Sequence, residues 1–468
     1  MTLDLDVAPP QLFPEIDRLF DLQKSKRITT TYAQRIDRIR RLERAVMAHR
    51  EDIHAAMFAD YRKPAAEVDL SEIYPVVSEA RHARRHLRDW MHPHRVGTRL
   101  ALIGSTSKIV YEPKGVALII SPWNFPFNLS LGPLVSAIAA GCSVILKPSE
   151  MTPHSTACIR RIVGELFDES EVAVVEGDSH IGEALLAKPF DHIFFTGSPA
   201  VGRIVMKAAA EHLTSVTLEL GGKSPVIVDR TASLGEAAKK VAWGKFFNNG
   251  QVCIAPDYVL VDESIHDAFV DKLRAAIEAL GSEGSRGVIV NERHASRVKR
   301  LFDSAVQKGA RVVHGGAFRD REITPTVVAN VPADAPLMQE EIFGPILPIV
   351  KYRTLDDALA MIAAKEKPLV LYVFSRARSV VKKILAGTTA GGTAVNHTMV
   401  HFYSLDLPFG GVGNSGMGRS HGFAGFRAFS NERGVLDQKL RFSAIELLMP
   451  PYRGRLKQWL IDFTVRWL

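Results

Sequence analysis

Several short stretches of this chain place reactive side chains where the backbone can hold them open to a ligand. Asn248-Asn249-Gly250-Gln251-Val252-Cys253 sets a thiol among mostly small and polar residues. An accessible thiolate is a nucleophile, and that is the chemistry of covalent catalysis. Free cysteine is also among the most buried residue types, so an inert structural thiol is the competing reading for Cys253 alone. Its company shifts the balance. Leu218-Glu219-Leu220-Gly221-Gly222 places a carboxylate at the end of an apolar run, where a purely structural glutamate is costly to bury. Ser121-Pro122-Trp123-Asn124-Phe125-Pro126 holds an amide in a proline-bracketed aromatic turn, and Lys147-Pro148-Ser149-Glu150 sets an ammonium three residues before a carboxylate.

The elements around these stretches alternate. Val116 to Ile120, Ser143 to Leu146, Val172 to Glu176, His192 to Phe195 and Ser215 to Leu220 read as short apolar strands. Ser155 to Leu166, Ile181 to Ala187 and Val201 to Glu211 read as the helices between them. This is the pattern of a parallel sheet covered on both faces, and open sheets of that kind carry their sites just past the carboxyl ends of the strands. A second series follows Pro225, with helix Leu234 to Phe247, strand Tyr258 to Val261 and helix Ile265 to Leu280. The stretch before Trp90 is helical, and Lys108 to Tyr111 is a further strand.

Two glycine-rich segments invite comparison. Gly197-Ser198-Pro199-Ala200-Val201-Gly202 follows a strand and opens a helix, so it can bring backbone N–H groups to a phosphate; a plain strand-to-helix turn reads about equally well. Gly411-Val412-Gly413-Asn414-Ser415-Gly416 matches G-x-G-x-x-G by letter. It does not leave a strand of a βαβ unit, so it is read as a glycine-rich turn.

Composition sets limits. At roughly 150 residues per domain, 468 residues predict two or three domains. Three cysteines without CxxC spacing argue against a disulfide framework and a structural zinc site, and no metal is expected. A net charge of +8 without an aromatic-interleaved basic tract argues against nucleic-acid binding. With no uninterrupted apolar span and no secretory signal pattern, the expected location is the cytoplasm.

Taken in order along nearly the whole chain, these motifs closely resemble the aldehyde dehydrogenase superfamily. Glu341-Ile342-Phe343-Gly344-Pro345 adds a further match. Cys253-Ile254-Ala255-Pro256-Asp257-Tyr258, the run Leu407 to Gly418 and the tail from Met449 resemble the class 3 branch of fatty-aldehyde, aromatic-aldehyde and coniferyl-aldehyde-type enzymes. The resemblance implies an α/β fold with a Rossmann-type cofactor domain (1–103 and 119–220) and an α/β catalytic domain (221–398). A small β oligomerisation element (104–118 and 399–430) and a tail (431–468) complete it. It implies NAD, with NADP possible, and a homodimer. Cys253 is then the nucleophile, Asn124 and the Cys253 N–H the oxyanion donors, and Glu219 the base for water; Glu341 is a second candidate for that base. Gly197, Ser198, Gly202, Leu220 and Gly221 fall in the cofactor loops, Lys147 and Glu150 at the adenosine ribose, and Glu341 and Phe343 at the nicotinamide ribose. Asn396 falls near the site by the same resemblance, with a structural turn residue as the alternative.

The expected reaction is oxidation of an aldehyde to its acid through a thiohemiacetal and a thioester on Cys253. The substrate is expected to be long-chain aliphatic, aromatic or terpenoid. Transfer of the acyl group to coenzyme A is the rival, which Glu219 argues against. In the tail, Leu456, Trp459, Leu460, Phe463 and Trp467 share a helical face. Docking on the same or the partner subunit, near the substrate mouth, is the favoured reading, and a peripheral membrane contact is the alternative.

Overall fold

The computed structural model describes residues 13–26, 30–99, 102–281, 287–441 and 443–467. The alternating strands and helices assemble two largely parallel sheets. The first has six strands in the order Gly416–Met417, Ser215–Leu220, His192–Gly197, Val116–Ile120, Ser143–Lys147, Val172–Val174; only Gly416–Met417 runs antiparallel. Successive side chains of its strands go to opposite faces, and both faces are covered. Ala117, Ile119, Val144, Leu146 and Phe194 pack against the helices of the amino-terminal third, while Leu118, Ile145, Ile193, Phe195 and Leu218 pack with Val205, Leu185 and Ile16 on the other side. This is why these strands read as near-continuous apolar runs.

The second sheet has seven strands in the order Arg311–His314, Thr326–Ala329, Ile346–Tyr352, Tyr258–Asp262, Pro225–Val228, Val370–Phe374, Gly392–Val395. Its alternation likewise feeds two cores, Val226 and Val259 in one, Ile227 and Leu260 in the other. A third, antiparallel sheet joins His94–Val96, Ser105–Pro113 and Ser430–Gln438. The boundary drawn in the sequence at 431 therefore falls inside a strand, and 116–118 belongs to the six-stranded sheet. The second follows from reading Val116 to Ile120 as one strand; the first has no signal in local periodicity, because Ser430–Gln438 pairs with Ser105–Pro113 across the length of the chain.

The tail leaves its apolar face open on its own chain. Arg455–Trp467 is helical, yet none of its residues is buried, and its main contact is the turn Ala444–Leu448. Leu456 is 72% exposed, Trp459 59% and Trp467 75%. Among the described residues no helix is long and apolar enough to cross a membrane.

Candidate active site

Strand alternation decides where Glu219 points. Leu218 and Leu220 enter the core on one face of Ser215–Leu220, so Glu219 turns to the other. There the strand ends meet the second sheet across a cleft of about 850 Å³. Glu219 is buried. Its Oε1 accepts a hydrogen bond from Ser420 Oγ at 2.8 Å, and its Oε2 has no protein partner. Burial pushes the carboxyl up to about 8, opposed by the Ser420 bond and the Arg419 charge.

Cys253 is delivered by a turn of unusual backbone. Asn248, Asn249 and Gly250 adopt φ of 48°, 52° and 71° in succession. Asparagine tolerates the left-handed region better than most residues. At Gly250 no side chain fits, since a Cβ would lie 2.4 Å from the carbonyl oxygen of Gly344. Buried Gln251 locks the turn: its Nε2 donates to the carbonyls of Asn248 and Val288, and its Oε1 accepts from the N–H of Val290. Asn124 is tied to the same turn. Its Nδ2 donates to the Gln251 carbonyl at 3.0 Å, and its own carbonyl accepts from Asn248 Nδ2 at 2.9 Å. An amide nitrogen carries two hydrogens, so one remains to donate elsewhere.

The half-buried Cys253 faces the wide cleft on one side and two narrow apolar pockets on the other. Burial, then the Glu341 and Glu219 carboxylates, push its thiol up to about 12, while its own N–H and that of Ile254 act in the opposite sense. The thiol therefore needs a base before it can attack. The apolar pockets take their walls from Leu129, Phe402, Tyr403 and Phe409.

The cleft also receives Gly197, Ser198, Gly221, Glu341 and Phe343. Ser198 caps the helix Pro199–Glu211 through its side chain. Glu341 is half-buried, with its Oε1 buried and unpartnered, and a Cβ on Gly221 would lie 2.2 Å from its Oε2. Burial raises its carboxyl to about 7, against a hydrogen bond from the backbone of Gly222. A cleft of this size with a buried, unpartnered carboxylate oxygen and a side-chain-free wall fits a dinucleotide with ribose hydroxyls to donate. Phe343, at φ 49°, sets its ring edge-on to Trp123 at 5.3 Å.

Other sequence candidates lie apart from the cleft lining. Gly202 sits within its helix against Leu220, where a Cβ would approach Leu220 Cδ2 to 2.7 Å. Lys147 ends the strand beside Val116–Ile120 at the same edge of the sheet; it is buried, with Nζ 3.4 Å from Oε2 of the exposed Glu150. Asn396 spends its side chain on Ser375, accepting from the N–H and donating to the carbonyl, both at 3.0 Å. The segment Gly411 to Gly416 forms a tight turn that hydrogen-bonds the N–H of Leu220.

Several residues of the site escaped the sequence. Ser420 lies in Gly418-Arg419-Ser420-His421-Gly422, beyond any recognised motif, and reaches Glu219 because Gly416–Met417 pairs with Ser215–Leu220. His294 lines the cleft with its ring 4.9 Å from that of Trp123, and burial lowers it to about 4. Arg297 holds the carbonyls of Glu341 and Ile342. None of these stands at a fixed spacing from a motif.

A thiol poised between a dinucleotide-sized cleft and an apolar pocket, on a two-sheet α/β frame, defines a nicotinamide-dependent dehydrogenase acting on a carbonyl. Comparison with known proteins narrows this. The profile of the aldehyde dehydrogenase family matches residues 23–435. The 4,4'-diaponeurosporen-aldehyde dehydrogenase of Staphylococcus aureus is 40% identical over 96% of this chain and 97% of its own. The dimeric NADP-preferring aldehyde dehydrogenase of Mus musculus is 42% identical over 87% and 90%. The substrate-bound structure of AldH from Staphylococcus aureus superposes with a TM-score of 0.91 at 39% identity, covering 96% of this chain and 99% of that one. The chain belongs to the aldehyde dehydrogenase family, and it is an NAD(P)-dependent enzyme that oxidises an aldehyde.

Proposed function

We propose that this enzyme oxidises bulky or long apolar aldehydes to free carboxylic acids through a thioester on Cys253. The observation that carries the reading is the position of Cys253, with unpartnered carboxylate oxygens on its cleft side and aromatic walls on the other. Glu219 removes the thiol proton and later the proton of the attacking water. The free hydrogen of Asn124 Nδ2 and the N–H of Cys253 hold the oxyanion of the thiohemiacetal. A nicotinamide ring, when bound, supplies the hydride acceptor. Gly197, Ser198 and Gly221 form its phosphate and nicotinamide side, with Gly202 packed on Leu220 behind them, Glu341 and Phe343 hold the nicotinamide ribose, and Lys147 with Glu150 the adenosine ribose. NAD is the preferred cofactor and NADP is accepted. Glu219→Gln tests the mechanism: NADH should appear in a burst followed by slow turnover, and acid should form without added coenzyme A. Wild-type turnover in this variant would transfer the base role to Glu341.

The division of labour follows the sheets. The six-stranded unit binds cofactor, the seven-stranded unit carries Cys253, and the three-stranded sheet joins two copies in a cytoplasmic dimer. The exposed face of Arg455–Trp467, flanked by Arg455, Lys457 and Arg466, lies on an anionic lipid surface. The exposure of this apolar face is the observation behind the membrane reading.

A further inference from the structure

The aromatic wall beside Cys253 is carried by a segment with little regular structure, so its distance from the thiol has to be set from outside. Phe402 and Tyr403 sit in the short turn Val400–Tyr403, which follows the strand Gly392–Val395. The approach to that turn is anchored twice. The Asn396 side chain is bonded to the backbone of Ser375, and Thr398 Oγ1 donates to the carbonyl of Lys240 at 2.7 Å. Met399 comes next, with φ 61° and ψ −33°. L-residues rarely adopt that backbone, and it persists only where the surroundings enforce it.

A single oxygen atom supplies that constraint. Strand Val370–Phe374 alternates, sending Leu371 and Val373 to one core and Tyr372 to the other, where Val252, Ile254 and Met399 also pack. Tyr372 is fully buried, and nothing in the mechanism uses it. Its hydroxyl donates to the carbonyl of Ile254 at 2.6 Å and accepts the N–H of Met399 at 3.2 Å. Ile254 directly follows the thiol, and Met399 directly precedes the aromatic turn. Both line the narrow pocket of about 40 Å³ beside Cys253. Burial raises the phenol well above its ordinary range, so the oxygen keeps its proton and its donor role is fixed. From the same turn, the ring of His401 meets that of Tyr372 edge-on at 6.1 Å.

We propose that the Tyr372 hydroxyl is a positioning group that sets which aldehydes this enzyme accepts, by tying the wall at Phe402 and Tyr403 to the backbone beside Cys253. The inference rests on Cys253 as the nucleophile and on the apolar pockets as the aldehyde site. A small aldehyde needs only the thiol and the oxyanion donors. A long chain lies along the aromatic rings, so its binding depends on where Met399 holds them. Without the hydroxyl, the Ile254 carbonyl and the Met399 N–H are left unpaired in the core, and the strained backbone at Met399 is free to relax. The rings then lose their fixed place while the thiol keeps its own, because Gln251 and Asn124 still hold the nucleophile turn.

The competing role for Tyr372 is structural, one more buried hydrogen bond in the seven-stranded unit. Tyr372→Phe separates the two, because it removes a single oxygen and keeps the ring. With NAD as cofactor, kcat/KM is measured for acetaldehyde and for decanal. The expected result is a loss of about 10-fold for decanal, the scale on which a hydrophobic pocket discriminates, carried mainly by KM, with the constants for acetaldehyde and NAD unchanged. In a Phe402→Ala background the same exchange should no longer move the ratio of the two aldehydes, since the hydroxyl acts through that wall. An unchanged ratio in Tyr372→Phe overturns the inference, whatever the variant loses in urea unfolding. An equal loss for both aldehydes overturns it too, because the hydroxyl then serves the nucleophile turn alone. An acyl adduct on a cysteine other than Cys253 in the wild type would instead remove the reading beneath it, so the two failures are told apart.

Discussion

Replacing Gly250 by alanine tests how the nucleophile turn is built. Two separable costs arise. The residue sits at φ 71°, and a left-handed conformation costs an L-residue about 1–2 kcal/mol. The new Cβ would also lie 2.4 Å from the Gly344 carbonyl oxygen and 2.6 Å from its carbon, both backbone atoms that cannot rotate away. Overpacking of that kind costs roughly 1–3 kcal/mol. Gly309 provides the control: its φ is 100°, and a Cβ added there would meet nothing within 4 Å. Gly309→Ala should lose only the backbone term and keep full activity. Gly250→Ala should lose about 1–3 kcal/mol more in urea unfolding. Its NADH burst should slow as well, because the displaced turn carries Cys253 and presses on the segment holding Phe343. Equal losses of stability in the two variants, or a normal burst in Gly250→Ala, would refute the account.

Cys253→Ala should abolish oxidation while cofactor still binds, and mass spectrometry of the wild type under single turnover should find the acyl adduct on Cys253 and not on Cys142 or Cys158. With Glu219 held near 8, hydrolysis of the acyl-enzyme should rise with pH up to about 8 and level off above it. The same raised value means folding favours the protonated carboxyl: that stabilisation is present at acid pH and lost as pH rises through about 8. Glu219→Gln should therefore resist heat better than wild type above this pH, with the difference closing toward acid pH. Glu150→Gln should raise the specificity constant for NADP relative to NAD, since it removes a charge facing the 2′-phosphate. Truncation after Met449 should abolish sedimentation with anionic vesicles and leave Michaelis constants unchanged for every chain length; a selective rise for long aldehydes would restore the substrate-mouth role.

Much of the site was legible because its residues sit at strand ends. Glu219, Gly197 and Lys147 each close an apolar run, and a run of that kind both announces the strand and fixes which edge of the sheet its last residue reaches. Cys253 was legible through its small and polar neighbours, and Asn124 through the proline-bracketed aromatic turn that follows a strand. The apolar pocket was not. Phe402, Tyr403 and Phe409 come from an irregular segment with no period to read, and only pairing of Gly416–Met417 with Ser215–Leu220 brings Ser420 to Glu219. The tail shows the opposite case: its amphipathic period was plain in the sequence, but a period does not name the partner that covers the apolar face.

The two-sided setting of Cys253 has a consequence for how such an enzyme changes over generations. The cofactor wall is drawn from strand ends and from Gly221, whose side-chain space is already taken by Glu341, so little can vary there without harm. The aldehyde wall is drawn from side chains such as Phe402, Tyr403 and Phe409, on a loop whose backbone supports neither sheet. Mutation can therefore rewrite the diet of the enzyme while its oxidising engine is inherited intact, and a lineage on this frame can take up new aldehydes by a few exchanges on one short loop.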